Sequence, residues 1–197
     1  ADRLHEYTRR FGFGRRLSQD FSGENPGKVW PPEKLDPSAL ASVSMGYQIG
    51  VTPLQMAVAT SVIANGGNLI EPHVVKALVA HGRRAKVKRE LPQRVITRAT
   101  ATTVTSMMED VVRRGTATRA QIPGYTIAGK TGTTGKIVNG AYSKSLYNSS
   151  FVGFAPSRAP ELTILVVIDS PKAGHTYGGV VAAPIFKRIA EAALRYL

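Results

Sequence analysis

Cysteine is absent from the 197 residues, which excludes disulfides and thiolate metal sites while leaving the redox compartment open. Histidine is nearly as scarce. His5, His73, His81 and His175 are scattered without ligand spacing, so neither a metal nor another cofactor is expected. Long apolar runs are missing too. None approaches the ~20 residues that span a bilayer, and no signal-peptide pattern stands at Ala1. Acidic residues number 13 against 26 basic ones, a formal net charge of +13. That surplus makes nucleic acid the first partner to weigh. The basic clusters are Arg9/Arg10/Arg15/Arg16, Arg83/Arg84/Lys86/Lys88/Arg89 and Arg113/Arg114/Arg119. They fall at expected turns and helix ends, and with aromatics at only 7% they have few rings beside them to stack bases. A solvated basic surface near an anionic envelope accounts for them equally well. No nucleic-acid partner is expected.

What is present suits one domain or a large part of one, with 43% apolar residues for a core. There are no repeats, no low-complexity segments and no evident internal boundary. The first residues, Ala-Asp-Arg-Leu-His-Glu-Tyr, read as the middle of a helix that began earlier, so a fragment is expected. Phe11-Gly-Phe-Gly14 breaks that helix, and residues 18–37, with Pro26, Pro31, Pro32 and Pro37 around Trp30, read as an ordered loop. Ser38 to Gln48 reads as a short helix or turn. Thr52-Pro53 opens a helix that Gly66-Gly67 stop. Glu71 to Leu91 reads as a hairpin with arms His73–Ala80 and Lys86–Leu91 around a turn at His81-Gly-Arg-Arg. Thr97 caps a second helix that ends at Gly115, with Met107 and Met108 as core packing.

Tyr125-Thr-Ile-Ala-Gly-Lys-Thr-Gly-Thr-Thr134 organises the rest. It starts in strand alternation and then sets one cation, Lys130, among Gly129, Thr131, Gly132 and Thr133. Small residues let another chain lie close, and hydroxyls beside a fixed ammonium suit a carboxylate. Gly124 to Thr131 also fits the phosphate-loop pattern G-x-x-x-x-G-K-[ST], and Leu162–Asp169 imitates the strand that ends in a magnesium-binding Asp. That reading needs a helix starting at Lys130-Thr131, whereas Gly132-Thr-Thr-Gly135 does not start one. Residues 135–149 read as a polar loop at the mouth of any site around Lys130, with Tyr142 and Tyr147 as weaker candidates to line it. Ser150–Ala155 and Leu162–Asp169 are separated by six residues, too few for a parallel crossover, so they pair antiparallel. Asp169 ends its strand, His175, Thr176 and Tyr177 form a connector, and Pro184 opens a closing amphipathic helix through Leu197. The expected class is α+β: an antiparallel β-sheet flanked by helices.

Lys130-Thr-Gly132 is the third motif of the penicillin-recognising serine enzymes, and the likeness extends further. Arg9-Arg-Phe-Gly-Phe-Gly14, Met45-Gly-Tyr-Gln-Ile-Gly-Val-Thr-Pro-Leu-Gln-Met56, Ile63-Ala-Asn-Gly-Gly67, Gly115-Thr-Ala, Ala128-Gly-Lys-Thr-Gly-Thr133 and Ser150-Phe-Val-Gly-Phe-Ala-Pro156 stand in order along the chain. With these and the Pro184 helix, the sequence resembles the C-terminal part of the transpeptidase domain of class B penicillin-binding proteins, the peptidoglycan D,D-transpeptidases. One departure is plain. No serine here begins the family's Ser-x-x-Lys or Ser-x-Asn element, which the resemblance puts before Phe11-Gly-Phe-Gly14. Residues 1–197 are therefore expected to be the C-terminal portion of one such domain, without the nucleophile and inactive alone.

For the whole domain the resemblance implies a serine acyl-enzyme that cross-links stem peptides and is blocked by β-lactams. Here it implies that Lys130 fixes charge and helps move protons. It further implies that the Thr131 and Thr133 hydroxyls bind the substrate carboxylate, that Thr133 N–H donates to the oxyanion, and that Gly132 keeps the strand open. Its implied partners are the upstream part of the domain, peptidoglycan stem peptides, β-lactams and other cell-wall synthesis or division proteins. The implied place is the outer face of a bacterial cytoplasmic membrane, through an anchor not in this chain. The alternatives are a serine β-lactamase, for which no deacylating base is evident, a non-catalytic β-lactam-binding receptor or scaffold, and the phosphate-loop nucleotide binder.

Overall fold

A computed structural model describes residues 1–172 and 174–197. It divides into two compact units that the sequence does not signal. One comprises residues 1–62 and 67–96, the other residues 63–66 and 97–197.

In the first unit, α1 (Asp2–Arg10) ends at Phe11, as the two following glycines require. After a loop and a single 3₁₀ turn at Pro32–Lys34 come α2 (Pro37–Ser44) and α3 (Pro53–Ala64), whose last two residues count with the second unit. Asp36 starts α2 by accepting the Ala39 N–H at 2.7 Å. Thr52 starts α3 in a reciprocal cap: its hydroxyl accepts the Gln55 N–H at 3.2 Å while Gln55 Oε1 accepts the Thr52 N–H at 3.0 Å. Gln55 is fully buried, and its Nε2 donates to the Arg15 and Pro26 carbonyls at 3.0 and 2.8 Å. One amide thus closes the cap and pins two loops.

The strands β1 (Asn68–Leu69), β2 (Ala77–Ala80), β3 (Arg83–Lys86) and β4 (Gln93–Arg94) form two separate antiparallel pairs, β1 with β4 and β2 with β3. The hairpin arms are therefore shorter than the sequence suggests. Arg83 and Arg84 lie in β3, because His81 and Gly82 alone make the turn, both with positive φ. Leu17, Val58, Val62, Leu69 and Val95 make this unit's core.

Beside that core sits a charge cluster. Arg89 meets Asp20 at 3.0 Å and Glu71 at 3.3 Å, and Asp20 also accepts the Val74 and Val75 N–H groups at 2.9 and 2.8 Å. The hydrogen bonds from Arg89 and then Val75 hold the Asp20 carboxyl far below its ordinary value of 3.8. Glu71 is lowered too, foremost by the Glu90 N–H. A depressed carboxyl contributes stability in full above its unfolded pKa, and that contribution drains as pH falls through the folded value. We expect Asp20→Asn to lower the urea midpoint at neutral pH and to flatten its decline below about pH 4. A variant with an undiminished acid decline would uncouple this cluster from folding.

In the second unit, α4 (Arg98–Arg114) is capped by the Thr97 hydroxyl, which accepts the Thr100 N–H at 3.1 Å, and ends at Gly115. A 3₁₀ turn at Thr118–Ala120 leads to β5 (Ala128–Val138), β6 (Ala141–Ala155) and β7 (Leu162–Asp169), then to α5 (Gly178–Val181) and α6 (Ala183–Ala193). The sheet runs β5-β6-β7, antiparallel throughout. Alternation sends Phe151 and Phe154 to opposite faces. Phe151 packs edge-on against Phe186 of α6, centroids 4.8 Å apart, in a core shared with Ile127, Val112 and Val166. Phe154 packs with Ala128 and Met108 of α4. The expected α+β class, an antiparallel sheet with helices on it, is what the chain forms.

Three expectations change here. Residues 135–149 are not a loop: β5 and β6 extend into a long ribbon closed by Asn139-Gly140, both with positive φ. The strand begins at Ala128 rather than Tyr125, so Lys130 to Thr133 lie within it. Only Met108 is core, since Met107 points to solvent, 62% exposed.

Candidate active site

The segment Lys130 to Thr133 lies on β5, which among the described residues is paired on one side only. Ala128 and Lys130 share a face by alternation. Ala128 is buried with Met108 and Phe154, whereas Lys130, one residue pair further along, is exposed. Its Nζ donates to the Thr131 carbonyl at 3.0 Å, leaving two of its three N–H bonds for a ligand. Thr131 and Thr133 turn to the opposite face. There the Thr131 hydroxyl lies 2.8 Å from the Thr116 hydroxyl, and Thr133 Oγ1 accepts the Gly178 N–H at 3.1 Å. Thr133 therefore keeps its own O–H to donate, and one proton of the Thr116–Thr131 pair is likewise unspent. These are donors for an anion, ready without rearrangement.

The backbone supplies another. A Cβ on Gly178 would collide with the carbonyl oxygens of both Ser150 and Gly132. The two oxygens thus face each other, which marks Gly132 and Ser150 as a hydrogen-bonded pair in the ladder. The neighbouring pairs, Thr131 with Phe151 and Thr133 with Ser149, are then of the other kind, and on β5 their N–H and C=O point off the open edge. The ammonium on the Thr131 carbonyl fits this. An extended peptide laid along the edge would meet the Thr133 N–H.

Glycines shape the same ground. A Cβ on Gly129 would run into the Phe151 ring and sit 2.8 Å from the Val152 carbonyl, and one on Gly132 would come 2.5 Å from the Ser150 hydroxyl. Gly179 has no room for a Cβ either, because the Thr116 carbonyl fills that space. The start of α5, the Gly115-Thr116 turn and β5 are thereby locked together.

Of the residues the sequence singles out, Lys130, Thr131, Gly132 and Thr133 come together on four consecutive positions of one edge. Tyr142 pairs with Ile137 and Tyr147 with Gly135, further up the ribbon, and the Tyr147 hydroxyl is taken by the Lys144 carbonyl at 2.9 Å. Asp169 ends β7 as expected. Its carboxylate accepts from Lys136 at 2.7 Å and from Ser170 at 2.6 Å, which together lower its pKa. His175, Thr176 and Tyr177 do form a connector, but not an idle one: the Thr176 carbonyl accepts a hydrogen bond from the buried Ser149 hydroxyl. The phosphate-loop alternative fails, because Gly129 to Thr131 are paired strand and no helix begins at Lys130. Sequence reasoning misses Thr116, Gly178 and Gly179 as site residues. Their contacts span 15 and 45 positions, and only the glycine pair itself hints at close approach.

The family model for the penicillin binding protein transpeptidase domain matches residues 1–191. Stage V sporulation protein D of Bacillus subtilis (strain 168) is 36% identical over 191 residues, 95% of this chain and 30% of that protein. Penicillin-binding protein PbpB of Mycobacterium tuberculosis is 36% identical over 201 residues, 96% of this chain and 30% of that one. The crystal structure of penicillin-binding protein 3 from Mycobacterium tuberculosis superposes with a TM-score of 0.93 at 35% identity, covering 100% of this chain and 46% of that one. That protein has also been solved with aztreonam and with ampicillin. The chain spans about a third of the length of the curated relatives it matches.

Proposed function

We propose that this chain, which belongs to the penicillin-binding protein transpeptidase domain family, is the C-terminal portion of a peptidoglycan D,D-transpeptidase domain and supplies its carboxylate and oxyanion donors. One observation carries the reading: the outward Thr133 N–H stands on an open strand edge, with the Lys130 ammonium on one face and the Thr131 and Thr133 hydroxyls on the other. The nucleophile is a serine in a Ser-x-x-Lys element of the polypeptide that precedes residue 1, next to a Ser-x-Asn element. Relatives named "Probable peptidoglycan D,D-transpeptidase" and one relative solved with aztreonam and with ampicillin support both the substrate class and the inhibitors.

The chemistry follows from the charges. A stem peptide ending in D-alanyl-D-alanine lies antiparallel along β5, its terminal carboxylate on the Thr131 and Thr133 hydroxyls. The serine Oγ attacks the penultimate carbonyl carbon as its proton passes into the lysine–hydroxyl network. Negative charge collects on the carbonyl oxygen, where the Thr133 N–H donates together with the nucleophile's own amide. One such donor is typically worth about 3 kcal/mol in the transition state. The C–N bond then breaks, the leaving D-alanine takes a proton, and an amine of a second stem peptide resolves the ester into the cross-link. A β-lactam follows the same first step, but its leaving nitrogen stays tethered, so the acyl group persists. Lys130 contributes positive charge beside this path, and Gly132 leaves the strand face low enough for the peptide. The working site belongs to the bacterial cell envelope, outside the cytoplasmic membrane, among other cell-wall synthesis and division proteins.

Thr131→Val keeps the shape and deletes one hydroxyl. It is expected to weaken the reversible β-lactam complex roughly tenfold, the size of a lost hydrogen bond to a charge, and to change the acylation step itself much less. Stopped-flow acylation separates the two, and equal binding would remove the carboxylate role from Thr131.

The proposal as a whole is tested by labelling with a fluorescent penicillin, read by intact mass, on this chain alone and paired with the polypeptide that precedes it. Label on the upstream partner only, dependent on this chain, supports a site completed by Lys130 and Thr133. Label on this chain would reveal a nucleophile here and overturn the assignment. Stable label without turnover of a D-alanyl-D-alanine peptide would favour a receptor, and label that is released quickly would favour a β-lactamase.

A further inference from the structure

The β2–β3 ribbon is built to be covered. A two-stranded sheet is marginal in water, yet seven of its eight strand residues are exposed. Leu78 and Val79 are 63% and 72% exposed on a strand, Ala-Leu-Val-Ala, that carries no charge. Uncharged exposed edges invite pairing, and folded proteins usually guard them with lysine, proline or a covering element. Both edges of this two-stranded sheet are open; Arg83, Arg84 and Lys86 stand on β3, and β2 carries no guarding charge.

The edge is also oriented. The two-residue turn His81-Gly82 closes on Ala80 and Arg83, which makes that pair the hydrogen-bonded one. Alternation then leaves the N–H and C=O of Val79 and Ala77 pointing off the open side of β2. Charge completes the picture. Between His73 and Lys88 stand Lys76, Arg83, Arg84, Lys86 and Lys88, with no Asp or Glu.

We infer that β2 accepts an added strand from another protein: an extended, acidic segment with alternating apolar residues, pairing with Ala77 and Val79 while its carboxylates meet Arg84 and Lys86. Three other occupants fit less well. A second copy of the same ribbon would bring two sets of five cations together. Lipid cannot take an open strand edge, whose unpaired amides would lose water without replacement. Nucleic acid would find no Phe, Tyr or Trp between His73 and Lys88 on which to stack. Strand addition satisfies the backbone, places apolar side chains beside Leu78 on one face and carboxylates by Arg84 and Lys86 on the other.

The test uses this chain and an acetylated, amidated peptide of four Glu-Val repeats, followed by fluorescence anisotropy and by hydrogen exchange. Binding should slow exchange in residues 77–80 and should weaken as salt rises. Arg84→Glu should lower affinity roughly tenfold, and Val79→Pro, which removes an edge N–H, by a similar factor. Because Val79→Pro can also disturb the ribbon, the same peptide N-methylated at alternate residues is offered to the unchanged protein; one of its two methylation registers should fail to bind. The inference is overturned if both registers bind equally, if binding occurs without protection of residues 77–80, or if a Lys-Val peptide binds as well. It is equally overturned if the Glu-Val peptide does not bind, whether or not phosphatidylglycerol vesicles or single-stranded DNA do.

Discussion

Lys130→Ala, introduced where the complete catalytic domain is assembled, is expected to slow acylation by β-lactams roughly 10²–10³-fold, the range seen when one preorganised electrostatic donor is removed from a reaction centre. The expectation rests on position. Lys130 is held by strand pairing to Val152 and by its hydrogen bond to the neighbouring Thr131 carbonyl, so its charge is fixed at the edge where the oxyanion would form. Little folding energy depends on it, since the side chain is exposed. The thermal midpoint should therefore stay within a degree or two while the acylation rate constant collapses. Lys130→Arg restores the charge but not the compact ammonium, and should recover only part of the rate. Unimpaired acylation in the alanine variant would show that this cation is a bystander.

The second large effect is expected at Gly178, far away in sequence. Gly178→Ala places a methyl against the carbonyl oxygens of Ser150 and Gly132, so α5 has to retreat from β5. The hydrogen bond from Gly178 N–H to the Thr133 hydroxyl then breaks, and the Thr133 side chain and edge shift with it. Displacement of a reacting geometry by about 1 Å can cost about 10²-fold in rate, and a loss of that order in acylation is expected here. Overpacking of this kind also destabilises by about 1–3 kcal/mol. Ser149→Ala serves as the comparison. It removes a buried hydroxyl that bonds to the Thr176 carbonyl in the same connector without adding bulk, and should lower stability while sparing more of the rate. If the two variants lose rate in proportion to stability, α5 is scaffolding and does not tune the edge.

What could be read from the sequence was local. Thr52 and Thr97 announce helices because a cap needs only a hydroxyl and the next turn of its own chain, and both caps are present. Lys130 to Thr133 could be picked out because four site residues happen to be consecutive. The antiparallel order of β6 and β7 followed from the length of their connection. What stayed hidden involves partners far apart in the chain. Nothing near Thr116 says that its hydroxyl meets Thr131, and Gly178-Gly179 look like any flexible joint until β5 is laid beneath them. Asn139-Gly140 is a strong hairpin signal, but the serines and lysines around it read as loop because the ribbon there is exposed on both faces. The two-residue strands β1 and β4 carry no periodicity to read.

The open edge of β5 has a consequence for selection. The Thr133 N–H belongs to the main chain, so almost any codon at that position would still encode the donor; only proline deletes it. A drug that leans on this group leans on something point mutation can scarcely erase. Under the proposed function, escape at this strand would come through the residues that position the group. In this chain those include Gly178 and Gly179, which leave no room for a Cβ against β5 and the Thr116 turn. On that reading, variants selected under antibiotic pressure are expected to gather around the supports of this edge, and the inhibitors least sensitive to them will be those that tolerate a tilted strand.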